Sequence, residues 1–163
     1  MNDQQSPTYA FYEGLQRAEF DRWDGVIAED VAINSPAGYG MEGLPLFKDW
    51  ATNFVNLAYR VDLVDEHLAV DTEGNGRGFV TCLLHWKHLT DFLGLAPTGR
   101  EGTSVESMIL TIEAGVITRI DVASNTADLV IYEFERGWPM PHNVRPPALV
   151  QGIDRHEHIL AAA

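Results

Sequence analysis

The feature that most constrains this chain is a change of period at Tyr59. Before it, apolar residues recur every three or four positions. Phe11, Leu15 and Ala18 form one stripe, with Tyr12, Glu19 and Trp23 beside it. Gly43-Leu44-Pro45 opens a second such segment, carrying Phe47, Trp50, Ala51, Phe54 and Ala58. After Tyr59, Val61 and Leu63 alternate with Arg60 and Asp62, a period of two. Strand candidates follow at Phe79 to Phe92, Val105 to Ile112 and Val116 to Ala123, joined by Glu73-Gly74-Asn75-Gly76, by a turn-rich stretch from Gly94 to Gly102, and by Glu113-Ala114-Gly115. A chain that turns from helices to successive antiparallel strands has one economical architecture, α+β with helices on one face. A strongly curved antiparallel or mixed sheet wrapped around the N-terminal helices makes a cone-shaped barrel with a central pocket.

Local signals set the expected boundaries. Ser6 caps the first helix and Pro7 takes its first position. Asp24-Gly25 breaks that helix, and Asp24 caps a short second one through Ala28. Val31 to Asn34 reads as a short strand and Ser35 to Gly40 as a loop. Asn125 or Thr126 caps a last helix to about Arg136. The stretch 137–163 holds four of the eight prolines and reads as an irregular tail packed on the body, with a terminal helix near Asp154.

All 163 residues fit one domain, with a core over about 9–135. The net charge of −13 argues against nucleic acid and anionic membrane as partners. The single cysteine, Cys82, lies in an apolar run and reads as a core residue. The polar start, Met1 to Pro7, lacks the regions of a signal peptide, and no stretch is apolar enough for a membrane span. A cytoplasmic setting is the expectation. His156-Glu157-His158 is a weak metal tract, and no metal is expected.

Several segments, in order, resemble the SnoaL-like polyketide cyclases of the nuclear transport factor 2-like superfamily. These are Ala28-Glu29-Asp30-Val31-Ala32-Ile33-Asn34-Ser35-Pro36, the glycine-led aromatic helix Gly43 to Phe54, and Lys87-His88 running to Gly94-Leu95-Ala96-Pro97-Thr98-Gly99-Arg100. The last is Glu113-Ala114-Gly115 leading into Val116 to Asp121. The resemblance spans roughly residues 9 to 135, and its most specific element is the Pro-Thr-Gly-Arg turn. Gly137 to Asn143 is reminiscent of the family's hydroxylase branch.

The resemblance implies ring closure by aldol chemistry, without metal or cofactor, because the substrate's carbonyls delocalise the charge. His88 matches the family's strand histidine, and its role is to polarise a carbonyl or hold the acid/base group. Read alone, it is a hydrogen-bonded structural residue. The family's aspartate position is Asn125 here, which cannot take a proton. It can donate a hydrogen bond and, with His88, orient the substrate in a catalytic triad with Asp121. Asp121, four residues earlier, shares a strand face with it. Flanked by Ile120 and Val122, Asp121 is expected to be buried with a raised pKa and to serve as the base. The competing reading pairs it with Arg119. His85 has the opposite parity to His88. Trp23, Tyr39, Met41, Trp50, Phe54 and Trp86, with Arg119, are candidates for substrate contact, though each aromatic is a core candidate too.

Three functions follow. The first is a cofactor-free cyclase or isomerase acting on a hydrophobic, polyketide-like carbonyl compound. The second is a hydroxylase or epoxide hydrolase in the same pocket. The third is a non-catalytic binding or dimerisation module, favoured by a pocket filled with side chains and a salt-bridged Asp121. The resemblance also implies a homodimer through the sheet surface.

Overall fold

The computed structural model describes residues 6–35, 38–92 and 96–124. Helix α1, Pro7–Arg17, begins as expected, with the Ser6 hydroxyl accepting from the Tyr9 N–H at 3.1 Å. It ends sooner than the apolar stripe implies. Ala18 adopts φ 56°, and its N–H bonds the carbonyls of Gly14 and Leu15. Trp23 therefore sits in a separate 3₁₀ turn, Phe20–Trp23. This turn lays its ring on Phe11 at 5.5 Å and Phe47 at 4.9 Å.

The expected short helix through Ala28 is instead the start of a strand. The strands are β1 (Ile27–Ser35), β2 (Gly38–Glu42), β3 (Ala58–Val70), β4 (Gly76–Lys87), β5 (Glu101–Glu113) and β6 (Val116–Ser124), and α2 (Leu44–Leu57) lies between β2 and β3. The predicted Ser35–Gly40 loop thus holds the start of β2, because β1 folds back on itself and pairs Ala32 with Glu42. The sheet order is β2-β1-β6-β5-β4-β3. All neighbours are antiparallel except β1 and β6, which run parallel. The sheet is curved but open, with β2 and β3 as its edges, so it does not close into the expected barrel.

Alternation decides which residues face the helices. On β4 the buried row is Val80, Cys82, Leu84 and Trp86; on β5 it is Ser104, Glu106, Met108, Leu110 and Ile112. Both helices cover this inner face. Cys82 is buried as expected, and burial, followed by the nearby Glu106 charge, pushes its thiol up to about 12. Strand β4 stops at Lys87 rather than running on to Phe92. The expected helix from Asn125 and the tail, with His142, His156 and His158, lie outside the described residues. Among the described residues no helix is long and apolar enough to cross a membrane.

Candidate functional site

His88 follows β4 and continues its inward row. It is fully buried. Its backbone N–H donates to the Arg100 carbonyl at 2.8 Å, and its carbonyl accepts from the Gly99 N–H at 2.9 Å. Its ring Nδ1 meets the Thr98 hydroxyl at 3.1 Å. The histidine and the Pro-Thr-Gly-Arg turn are therefore one locked unit. Gly99, at φ 71°, supplies the left-handed step the turn requires. Beneath it Phe54, Leu57, Trp86 and Phe92 pack as a small apolar cluster, with Phe54 edge-on to Phe92 at 5.5 Å. These bonds agree with the hydrogen-bonded reading of His88.

His85 faces outward, as its parity predicts. Its Nε2 lies 2.9 Å from Asp62 and its Nδ1 3.1 Å from the Thr103 hydroxyl. Arg60, then His85, hold the Asp62 carboxyl down at about 2. His67 lies on the edge strand β3.

Asp121 corrects the expectation most sharply. Ile120 and Val122 are buried because they face the core, and that very alternation turns Asp121 to the outer face. There the guanidinium of Arg119 donates to it at 2.8–3.0 Å, and Asn34 Nδ2 donates at 2.8 Å. These donors, Arg119 first, hold its carboxyl below the usual range rather than above it. His88 and Asp121 thus lie on opposite faces of the sheet. Asn125 lies outside the described residues, so the expected triad is not assembled by this geometry. A depressed folded pKa stabilises at pH values above the unfolded value and loses that effect as pH falls through the folded one. Asp121→Asn should therefore cost stability at neutral pH, with the difference from wild type shrinking below about pH 4. Chemical denaturation across pH reads this directly, and a pH-independent difference contradicts it.

The aromatic candidates divide. Trp23 is core, with its indole N–H donating to the Phe11 carbonyl at 3.0 Å. Trp86 is also core, lying flat against Gly102, where an added Cβ would come within 2.7 Å of its ring. Met41 packs half-buried against the main core, and Tyr39 lies in β2. Trp50 and Phe54 do line a cavity. Phe11 and Leu15 of α1 and Phe47 of α2 complete its helical wall, and Leu84, Met108 and Glu106 its sheet wall. The cavity measures about 20 Å³, room for one water molecule. It is almost wholly apolar apart from Glu106, which is only 4% exposed. The sequence reading missed Glu106. Carrying the row Ile112, Leu110, Met108 two residues further back would have found it, but Val105 and Ile109 offered an equally apolar opposite face.

A second, open depression on the surface is lined by Phe20, Asp21, Arg22 and Lys48. Its charges serve one another, with Lys48 2.7 Å from Asp24 and Arg22 on Glu19. Among the described residues no cluster of His, Cys, Asp and Glu could hold a metal ion.

No protein-family model and no curated protein matches the sequence. Solved structures do. A candidate polyketide cyclase from Xanthomonas campestris is similar with TM-score 0.62 and 24% identity, over 76% of this chain and 91% of that one. A candidate SnoaL-like polyketide cyclase from Jannaschia has TM-score 0.60 and 17% identity, over 77% and 84%. AclR, a candidate hydroxylase from Streptomyces galilaeus, has TM-score 0.60 and 12% identity, over 77% and 80%. Over about three quarters of its length the chain, with two helices against a curved six-stranded mixed sheet, has the fold of these structures.

Proposed function

We propose that the chain is a cofactor-free acid/base enzyme, a cyclase or isomerase, acting on a hydrophobic polyketide-like carbonyl compound between α2 and the inner face of the sheet. The observation that carries this reading is the character of that interior. It is an aromatic-walled apolar space lined by one buried carboxylate, Glu106. Apolar walls suit a poorly soluble ring system, and a desolvated carboxylate suits proton transfer next to a carbonyl. The fold, shared with candidate polyketide cyclases, supports the same class. Asp121, ion-paired on the outer face, is not given the base role. Asn125 and Tyr39 stay in the proposal as substrate contacts. A homodimer also stays in it, supported by the exposed Val105 and Ile109 on the outward face.

The test is incubation of the protein with linear and bicyclic poly-β-ketones in deuterated buffer, followed by mass spectrometry and NMR. The expected result is deuterium next to a carbonyl and a cyclised product with no oxygen from labelled O₂. Oxygen from O₂ would establish hydroxylation instead, a reading that the likeness to AclR favours. Tight binding with no turnover would establish the binding module, which the small cavity and the Arg119–Asp121 pair favour.

A further inference from the structure

Two polar groups share the apolar cavity, one on each wall. From the sheet, Glu106 is the one ionisable side chain among the described residues that line it. From α2, Trp50 brings an indole Nε1–H that is buried and has no hydrogen-bond partner among the described residues. Buried N–H groups are nearly always paired, because leaving one unmade costs the whole desolvation penalty. An exception that lines the same apolar cavity as a carboxylate marks a place where a third group belongs. Packing does not explain the pair, since Trp23, in the same core, satisfies its own N–H on Phe11. A carboxylate opposite a lone donor suits a ligand that presents a proton to one wall and an oxygen to the other.

We infer that Glu106 and Trp50 form the polar pair that an enolisable carbonyl compound meets in the cone, the carboxylate as proton acceptor and the indole N–H as donor to the oxygen. This rests on the acid/base reading above and assigns its chemistry. The C–H bond next to the carbonyl breaks, its proton passes to Glu106, and its electron pair gives an enolate whose oxygen takes the Trp50 hydrogen bond. The enolate carbon then bonds to a second carbonyl carbon of the same molecule. The alkoxide so formed recovers the proton from Glu106. Because the cavity is about 20 Å³, a ring system enters by displacing Trp50 or Phe54, the two α2 rings tilted against each other at 4.3 Å.

Two probes separate recognition from catalysis. Binding of 1-naphthol, which offers a hydroxyl proton but does not turn over, is measured by NMR titration against naphthalene. Glu106→Leu and Trp50→Phe should each weaken 1-naphthol at least fivefold and leave naphthalene unchanged. Equal 1-naphthol affinity in both variants overturns the pair. With 2-tetralone, α-proton exchange into heavy water should run at least tenfold above buffer in the wild type and at the buffer rate in the isosteric Glu106→Gln. Exchange kept in Glu106→Gln but lost in Asp121→Asn returns the base role to Asp121 and overturns the assignment. Selective naphthol binding with no ketone exchange in the wild type sinks the enzyme reading and leaves the recognition pair standing.

Discussion

Trp23→Ala should lower the stability of this protein by about 3–5 kcal/mol, the usual cost of emptying a buried tryptophan site. The ring is fully buried and stacks between Phe11 of α1 and Phe47 of α2, so it joins both helices. It also touches Phe20 at 4.7 Å and satisfies its own N–H on the Phe11 carbonyl. Gly14 faces it so closely that an added Cβ would lie 2.3 Å from the indole nitrogen. A site this tight cannot collapse around a missing ring, because the backbone of α1 already forms one wall. At roughly 2–4 °C per kcal/mol for a chain of this size, the midpoint should fall by roughly 6–20 °C in calorimetry. A fall of less than about 3 °C, roughly 1 kcal/mol on that scale, would show that the helices are held together elsewhere.

Gly76→Ala should be the most damaging small change, costing about 1–3 kcal/mol by overpacking. Gly76 opens β4 opposite Val70, and a Cβ there would meet the Ala69 carbonyl oxygen at 2.0 Å and the Val70 Cα at 2.8 Å. Both are backbone atoms, so no side chain can step aside. The strand must move, and with it the turn before it. That turn is held by the Asp71 carboxylate, which accepts from the Glu73 and Asn75 N–H groups at 2.9 Å. It is also docked on the β5–β6 turn, where Asn75 Oδ1 accepts from the Ala114 N–H at 2.8 Å and Gly115 donates to the Gly74 carbonyl at 3.0 Å. The check is amide hydrogen exchange. Loss of protection should appear at the turn ends of both β3–β4 and β5–β6. Loss confined to β3–β4 would mean that the two turns are not coupled.

Much of the architecture was legible because it rests on near-neighbour chemistry. Ser6 and Pro7 start α1, the apolar spacing from Phe47 to Phe54 makes α2, and the glycine turns at Gly74 and Gly115 separate strands of period two. The Pro-Thr-Gly-Arg turn was recognisable as a motif, but its purpose appears only when Thr98 and Arg100 close on His88. Boundaries failed where tertiary contact overrode propensity. The stripe to Trp23 looked like one helix, yet Ala18 turns left-handed so that the indole can swing onto Phe11. The loop before Gly40 became β2 because β1 needed an edge partner.

The site was harder to read, because a strand's period of two says which residues share a face and not which face is inside. On β6 the same pattern served Asp121 equally well buried or exposed. Apolar neighbours such as Ile120 and Val122 suggest burial, but on a strand their own burial is what turns Asp121 outward. On β5 the ambiguity hid Glu106. The sequence by itself determined the helices α1 and α2, the strands from β3 onward, their order and the residues that share a face along each strand, since these follow from periodicity and turn chemistry. Only the tertiary structure decided which face the helices cover. That choice depends on the summed burial of all six strands at once, and it places Glu106 and Trp50 inside and Asp121 outside.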